Sequence, residues 1–453
     1  MERIRDIYRP VGERIGDFQE VERQFGWEEI AAQARRCHAC GIPFCHGSGC
    51  PLGNVVPEFN AAVAAGRLER AWRILSETSL FPEFTCRVCP ALCENACVCG
   101  IDGDPVMVRQ CEKLIVETAF ANGWVRPVTA PDNGKTAAVI GGGPAGLYAA
   151  ETLRRQGYGV TVFEAARRPG GLLRRGIPDF KLSKRVIDRR LAVMEQEGIR
   201  FVCDTTVGRD VSAAYLRRQY DLTVIAVGTP AARDLPIPGR ELKGIHFALD
   251  FLRGQNGVNA GEMAETPISA AGKRVLVIGG GDTGSDCVGT AIRQHAAAVA
   301  QIEIMPKPPE SRSESTPWPQ WAYKLRTSSS HDEGCERRWS LASARFLGDG
   351  GAVTGVEVNR VQWEVSPSGK PLKFAPVPGT TEVIPADLVL LAMGFTGVGS
   401  SPLAEQLDLE LTARNLFPAH PAPDIWAAGD CSNGATLVVR AMADAKTKLN
   451  FGK

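Results

Sequence analysis

Cysteines are the residues of this sequence best suited to chemistry, because they are numerous and unevenly placed. The chain has 453 residues and 14 cysteines, and ten of these lie between Cys37 and Cys111. One run reads CHACGIPFCHGSGCPLGN and a second reads CRVCPALCENACVC. Closely spaced cysteines with a Cys-Pro step are typical of iron–sulfur ligation, in which one run supplies three thiolates and another supplies the fourth.

Two other metal sites can be weighed against this interpretation. The pairs Cys37/Cys40 and Cys86/Cys89 have the C-x2-C spacing of a structural zinc site, but that site would leave six cysteines without a role. A c-type haem requires C-x-x-C-H, and Gly41 follows the second cysteine. The spacing therefore favours iron–sulfur over zinc. Four cysteines stand singly and are interpreted as inert buried thiols: Cys203, Cys287, Cys335 and Cys431.

A second kind of chemistry is indicated by the glycine-rich stretch TAAVIGGGPAGLYAAETLRRQGYGVTVFE, residues 136–164. An apolar strand, a Gly-x-Gly-x-x-Gly turn, a helix and another strand follow in order, which is the unit that binds a dinucleotide pyrophosphate at a helix N-terminus. Glu164 ends the second strand, where its carboxylate can bind ribose hydroxyls. The candidate residues of the turn are Gly141, Gly143, Pro144, Ala145 and Gly146.

The same unit recurs at residues 273–305, KRVLVIGGGDTGSDCVGTAIRQHAAAVAQIEIM. Its turn residues are Gly279, Gly281, Asp282, Thr283 and Gly284. Two such units predict two dinucleotides, and hence a flavoprotein with an FAD domain and an inserted nicotinamide domain. Further candidates for flavin contact are small or acidic residues near strand ends: Gly171, Leu172, Gly228, Gly429 and Asp430.

The choice between NADPH and NADH is left open by the residues after the second unit. Glu303 lies where an acid would bind the ribose of NAD and repel a 2′-phosphate. Lys307 and Arg312 follow closely and could instead bind that phosphate. We favour NADPH, with Glu303 directed into the sheet.

These residues must be positioned by an α/β protein with an N-terminal α-helical iron–sulfur domain and two Rossmann-like domains. We expect the helical domain at 1–126, the FAD-binding domain at 127–245 and 386–453, and the NAD(P)H-binding domain inserted at 246–385. The formal net charge of +1 gives no electrostatic case for nucleic acid. No uncharged run of 18 residues is present, so we expect no membrane association and a cytoplasmic protein.

Several motifs resemble the small (beta) subunit of bacterial NADPH-dependent glutamate synthase and, similarly, the N-terminal half of dihydropyrimidine dehydrogenase. They are CGIPFCH, GCPLGN, PEFTCRVCPALCENAC, GGGDTGSDC and LRTSSSHDEGCERRW. The resemblance implies FAD, NADPH and two 4Fe–4S clusters. It implies one cluster on Cys37, Cys40, Cys45 and Cys97, and a second on Cys50, Cys89 and Cys93 with an eighth ligand that is not cysteine.

Glu112 matches that eighth position, and Cys111, Cys86 and Cys99 are the alternatives. No general acid or nucleophile is expected, since hydride transfer between nicotinamide and flavin needs neither.

The resemblance also implies a role. The chain would pass electrons from NADPH through FAD and the clusters to the FMN of a large (alpha) subunit, which makes glutamate from glutamine and 2-oxoglutarate. The alternative is a related NAD(P)H oxidoreductase subunit with another acceptor, such as a bifurcating transhydrogenase, a sulfide dehydrogenase or a pyrimidine reductase.

Overall fold

A computed structural model describes residues 2–366 and 371–451. Short helices and long loops form the N-terminal domain, which suits a chain segment whose cysteines and prolines interrupt regular structure. A π-helical turn spans Cys45–Gly49. The α-helices of this domain are α1 (Val11–Arg14), α2 (Trp27–Ala34), α3 (Val56–Ala64), α4 (Leu68–Thr78), α5 (Pro82–Val88), α6 (Leu92–Asn95), α7 (Cys99–Asp102) and α8 (Val108–Ala121).

The first Rossmann-like domain contains a parallel sheet in the order β14-β4-β1-β2-β3, five strands among the described residues. Its strands are short and almost wholly apolar, as expected where helices cover both faces. The strands are β1 (Thr136–Ile140), β2 (Gly159–Phe163), β3 (Arg200–Val202), β4 (Leu222–Ile225) and β14 (Ile425–Ala427). Its helices are α9 (Pro144–Arg155), α10 (Leu172–Arg175), α11 (Lys184–Gln196), α12 (Ala213–Gln219), α16 (Pro402–Leu407), α17 (Asp430–Asn433) and α18 (Val438–Leu449).

The second Rossmann-like domain has a parallel sheet in the order β5-β13-β6-β7-β8, with an antiparallel sheet beside it. The parallel strands are β5 (Ile245–Phe247), β6 (Arg274–Ile278), β7 (Ala298–Glu303), β8 (Glu336–Trp339) and β13 (Leu388–Leu391). The antiparallel strands are β9 (Leu341–Asp349), β10 (Ala352–Val365), β11 (Pro371–Pro376) and β12 (Glu382–Pro385). The helices are α13 (Ala248–Asn259), α14 (Asp282–Arg293) and α15 (Ser329–Asp332).

The topology corrects one predicted domain boundary. Residues 386 onward were assigned to the FAD-binding domain, but β13 pairs in parallel with β5 and β6 of the second sheet. The return to the first sheet therefore comes after β13, and β14 then pairs with β4. A buried apolar strand fits the centre of either sheet equally well, so its composition alone could not assign it.

Some residues of the helical domain pack into the hydrophobic core of the first Rossmann-like domain. Phe81 of the helical domain packs edge-on against Tyr148 of α9, with 5.6 Å between ring centroids. Lys446 of α18 donates to the carbonyl oxygens of Leu52 and Thr78, each over 2.7 Å. The cysteine-bearing loops are thereby held on the flavoprotein scaffold. Among the described residues, no helix is both long and apolar enough to cross a membrane.

Candidate functional site

One thiol cluster brings together Cys37, Cys40, Cys45 and Cys97. Burial, and next repulsion from the other three thiolates, raise the pKa of Cys45 to about 12. All fourteen cysteines of the chain are free thiols. Four thiols that oppose one another's ionisation suit a cationic iron cluster, because bound iron would remove that repulsion.

The five-residue step from Cys45 to Cys50 is accommodated by the π-helical turn. Cys50 N–H donates to the carbonyl oxygen of Cys45 over 2.9 Å, which is the i→i+5 bond of a π-turn. Gly49 lies inside this turn against the second cysteine run. A Cβ built on it would lie 2.7 Å from the Cα of Cys93, so only glycine allows the two runs to approach this closely.

A second, small cavity is lined by Cys50, Cys89, Cys93 and Glu112. Burial raises the pKa of Cys50 to about 12, with the Glu112 carboxylate as the next cause. Burial also raises the pKa of Glu112 to about 7. Asn54 holds this carboxyl in place, because its Nδ2 donates to Oε1 of Glu112 over 2.8 Å. Three thiols and one carboxyl therefore face one space, which is a donor set that an iron–sulfur cluster can use.

The three cysteines considered as alternatives to Glu112 do not line this cavity. Cys86 is fully buried, and its Sγ donates to the carbonyl oxygen of Glu83 over 3.4 Å. Cys99 lies beside the first cluster, where burial and then Cys97 raise its thiol pKa to about 11. Cys111 is buried within the helical core.

The arrangement of donors also bears on the zinc alternative. Within residues 2–366 and 371–451, no three His, Cys, Asp or Glu side chains converge closely enough to ligate one ion. The thiolates of a four-iron cluster bind different iron atoms and are therefore farther apart than ligands of a single ion.

The first glycine turn, residues 141–146, joins β1 to α9 as the sequence predicts. A Cβ on Gly146 would lie 1.8 Å from the carbonyl oxygen of Gly141, so helix and turn can touch only through glycine. Glu164, at the end of β2, accepts the Gly142 N–H over 2.8 Å. A Cβ on Gly171 would lie 2.7 Å from the Cα of Gly143, which places the loop before α10 directly on the turn.

The second glycine turn repeats these contacts. Glu303 accepts the N–H groups of Gly280 over 2.6 Å and of Met305 over 3.1 Å. Its carboxylate thus points back at the turn and not into the sheet, which corrects the orientation expected above. A Cβ on Gly281 would meet nothing within 4 Å, so packing does not require glycine there. The open space suits a bound pyrophosphate at the N-terminus of α14.

A cleft of about 960 Å³ connects these parts. Gly281, Asp282 and Thr283 of the second turn line one part of it. Leu172 and Cys89 line it as well, and Cys89 also lines the second cavity. The cleft is therefore bounded by the second glycine turn, by the loop that packs on the first glycine turn and by a candidate cluster ligand.

Lys307 and Arg312, the expected phosphate partners, do not line the cleft. Arg312 instead donates to the carbonyl oxygens of Thr316 and Gln320, and its Nη2 reaches Asn95. Lys307 lies 3.5 Å from Glu310. The cleft is lined instead by basic side chains from the following loop and from β8: Lys324, Arg326 and Arg337.

The C-terminal candidates lie where the first sheet meets α17. Gly429 precedes α17, and a Cβ on it would lie 2.5 Å from the Cβ of Ala145 in the first turn. Asp430 accepts the N–H and the hydroxyl of Thr436 over 3.1 and 2.8 Å. Burial raises the pKa of Asp430 to about 6. Gly228 follows β4, which places it in the connection that leaves the first sheet.

Some residues of the site were not predicted from the sequence. Asn54 ends the GCPLGN motif, four positions after Cys50, and this spacing was its only signal. Arg109 lines both the cleft and the second cavity. Lys181 and Asp286 form a buried ion pair at the cleft, and they come from different domains. Only the fold brings such pairs together.

Comparison with protein families finds matches to two consecutive segments of the chain. Residues 14–124 match the family described as dihydropyrimidine dehydrogenase domain II, 4Fe-4S cluster. Residues 135–329 match the pyridine nucleotide-disulphide oxidoreductase family. Among solved structures, Mycobacterium tuberculosis FprA in complex with NADPH aligns with a TM-score of 0.54 at 20% identity, over 71% of this chain and 85% of that one. At this identity the likeness shows the fold alone.

Curated relatives cover nearly the whole chain. Glutamate synthase [NADPH] small chain of Mycobacterium tuberculosis (strain ATCC 25618 / H37Rv) is 47% identical over 449 residues, or 97% of this chain and 91% of the relative. The Bacillus subtilis (strain 168) small chain is 37% identical over 96% of this chain and 92% of its own length. Glutamate synthase [NADH] of Saccharomyces cerevisiae (strain ATCC 204508 / S288c) is 38% identical over 98% of this chain, which matches 21% of that protein. These matches confirm the resemblance found in the motifs and the predicted fold class, and the chain belongs to the family of glutamate synthase small chains.

Proposed function

We propose that this chain is the electron-input subunit of a glutamate synthase. It would take a hydride from NADPH onto FAD and pass the electrons through two 4Fe–4S clusters to the FMN of a large subunit, which forms glutamate from glutamine and 2-oxoglutarate. Curated relatives named small chains support a partner of this kind, as does the yeast relative, in which the matching region is about a fifth of a longer protein.

The observation that carries the proposal is the wall shared by the cleft and the second cavity. Cys89 and Arg109 line both spaces. An electron leaving the cleft therefore has a candidate ligand of the second cluster at its boundary. Because Gly49 packs on Cys93, the second cysteine set lies against the loop that carries the first. This arrangement supports an electron path from the cleft to the second set, then to the first set, and out to the partner.

We assign the ligands accordingly. Cys37, Cys40, Cys45 and Cys97 would hold one cluster, and Cys50, Cys89, Cys93 and Glu112 would hold the other. The shared cavity and the Asn54 hydrogen bond support Glu112 over the three cysteine alternatives. Each cluster would supply one-electron transfer when bound.

The protein's own task in the hydride step is binding and exclusion of water. The glycine turns present backbone N–H groups to the two pyrophosphates, and Glu164 and Glu303 orient the turns by accepting N–H groups from them. FAD supplies the hydride acceptor when bound. We assign no acid, base or nucleophile.

NADPH is the proposed donor, with a phosphate site different from the one expected from the sequence. Arg326 and Arg337 line the cleft. Arg337 lies on β8 directly beside β7, the strand that ends in Glu303. We assign the 2′-phosphate to these guanidinium groups instead of Lys307 or Arg312, because guanidinium groups bind phosphate well.

The test separates the hydride step from the coupled reaction. The isolated chain should oxidise NADPH with ferricyanide but form no glutamate, and adding the large subunit should give glutamate. Cys37→Ser should keep most of the ferricyanide activity and lose nearly all glutamate formation, because one broken cluster interrupts a serial path. Cys203→Ser, a single cysteine outside both sets, is the matched control. Glutamate formed by the isolated chain, or full coupled turnover in Cys37→Ser, would refute the proposal.

A further inference from the structure

The motif RTSSSHDEG, residues 326–334, contacts the second glycine turn on one side. His331 Nδ1 accepts the Ser328 N–H over 3.2 Å, so its Nε2 carries the proton and donates to Oε1 of Gln301 over 2.8 Å. Gln301 Nε2 in turn donates to the carbonyl oxygen of Gly279 over 2.8 Å. The hydroxyls of Ser328 and Ser285 are 2.5 Å apart. This side of the motif therefore supports the turn that begins α14.

The other side of the motif ends in a buried carboxylate that two arginines share. Arg293 Nη1 donates to Oε2 of Glu333 over 2.6 Å, and Arg14 Nε donates to Oε1 over 2.7 Å. The side chains of Arg293 and Glu333 are 0% exposed, and that of Arg14 is 4% exposed. Arg14 also donates to the carbonyl oxygen of Ser329 over 2.9 Å. Arg293 and Glu333 belong to the nicotinamide domain, whereas Arg14 comes from the N-terminal segment.

Arg14 lies in a loop that we call the strap, residues 7–23. The ends of the strap pair with each other, since Arg9 N–H donates to the Val21 carbonyl over 2.8 Å and Arg23 N–H to the Ile7 carbonyl over 2.9 Å. These ends are held on the helical domain, where Glu22 forms ion pairs with Arg109 and Lys113. The middle of the strap reaches the nicotinamide domain through the Arg14 side chain and through Arg293, which donates to the carbonyl oxygens of Asp17 and Arg14 over 2.9 and 3.1 Å.

Besides side-chain contacts such as the Lys181–Asp286 ion pair, the two Rossmann-like domains are joined by two crossing segments. These segments pair briefly, with Arg233 N–H donating to the Gly394 carbonyl over 2.9 Å and Thr396 N–H to the Ala231 carbonyl over 2.8 Å. A paired two-segment connection is the kind of element about which domains hinge. The strap, like the Arg312–Asn95 contact, attaches the nicotinamide domain to the helical domain away from that connection, and such attachments restrict rotation about it.

We propose that Arg14 is a positioning residue for hydride transfer. It fixes the nicotinamide domain, through Glu333 and Ser329, against the domains that carry the flavin and the clusters. The inference rests on the proposed function, because it assumes that NADPH bound at the second turn reduces FAD bound at the first. Arg14 does not line the cleft and would touch neither nucleotide.

The experiment uses Arg14→Met in the full chain loaded with flavin and iron. Glu333 keeps its two bonds from Arg293 in this variant, so the buried carboxylate remains paired. Stopped-flow reduction of the flavin at several NADPH concentrations gives a limiting rate and a dissociation constant. We expect the limiting rate to fall roughly tenfold, since misplacement by about 1 Å can cost up to a hundredfold. We expect the dissociation constant to change less than about twofold, because the nucleotide site itself is intact.

Two further variants complete the test. Arg23→Met changes an arginine at the end of the same strap whose side chain is 41% exposed and pairs with Asp6, so it should match wild type. Arg14→Lys retains the charge and should recover part of the rate. An unchanged limiting rate in Arg14→Met would overturn the proposal. A fall in the limiting rate that is matched by an equal fall in flavin or iron content in both Arg14 variants would also overturn it, because that pattern indicates a structural role. Wild-type flavin that NADPH does not reduce would instead contradict the proposed function.

Discussion

Cys93 and Cys86 are both buried but have different surroundings, and replacing each in turn tests the ligand assignment directly. Cys93 is 8% exposed and lines the second cavity with Cys50 and Cys89. Cys86 is 0% exposed and directs its thiol at the Glu83 carbonyl. Replacing either by serine removes one sulfur atom at a buried site. We therefore expect the two variants to disturb packing similarly, but only the Cys93 variant to lose iron.

The expected magnitude follows from the number of ligand sets. Two sets of four ligands should hold about eight iron and eight sulfide per chain, since each 4Fe–4S cluster has four ligands. Cys93→Ser should reduce this to about four, because the set of Cys37, Cys40, Cys45 and Cys97 has no ligand in the second cavity. Cys86→Ser should retain about eight. Glu112→Ala should behave like Cys93→Ser.

Iron and acid-labile sulfide are measured after anaerobic purification, with electron paramagnetic resonance of the reduced protein to count clusters. Flavin content serves as the internal reference, because neither serine variant lies at a nucleotide turn. Eight iron in Cys93→Ser would refute the assignment of the second set. A loss of four iron in Cys86→Ser would make Cys86 a ligand and exclude Glu112.

Three other predictions concern the nucleotide sites and pH. Gly171→Ala should abolish FAD retention, because the added Cβ would lie 2.7 Å from Gly143 Cα and residue 171 has a positive φ. Flavin absorbance after gel filtration measures FAD retention. Full flavin occupancy in the variant would contradict this prediction. Arg337→Gln should lower kcat/KM for NADPH about tenfold or more, and it should change kcat/KM for NADH by less than about twofold. Equal losses of kcat/KM with both nucleotides would exclude a contact between Arg337 and the 2′-phosphate. Burial, and next a hydrogen bond with Glu151, raise the pKa of Glu197 from 4.5 to about 8. The native state then holds a proton that the unfolded state releases, so stability should fall as pH rises from 4.5 to 8. Glu197→Gln should flatten that part of the pH profile of urea unfolding, and an unchanged slope would refute the linkage.

The parts of the site that the sequence predicts are those encoded locally. Each glycine turn follows its strand and opens its helix within a few residues, so spacing alone places Gly141–Gly146 and residues 279–284 correctly. The cysteine runs are similarly local, and their composition indicates metal chemistry before any fold is known. Glu164 and Glu303 can also be placed at the ends of β2 and β7, because the apolar run of each strand shows where the strand ends.

The parts that could not be predicted depend on which strands pair. Strand β13 resembles any buried parallel strand, and only its partners assign it to the second sheet. Arg337 is distant in sequence from Glu303, and it comes to the cleft because β8 pairs with β7. Lys307 is close in sequence, but its ammonium group lies over the ring of Trp339 and near Glu310, and the residue is not part of the cleft lining. Non-local pairing thus decided each point on which the sequence-based expectation was wrong.

The late position of β14 and α18 has a consequence for biosynthesis. The first sheet is completed by β14, which pairs with β4 only after the whole nicotinamide domain has left the ribosome. Lys446 on α18 then closes over the carbonyls of Leu52 and Thr78, beside the loop of Cys50. During translation the cysteine loops are therefore exposed while the flavin domain is still incomplete. Packing of α18 on the loop of Cys50 is therefore a late step of folding, which follows the addition of the last strand to the first sheet.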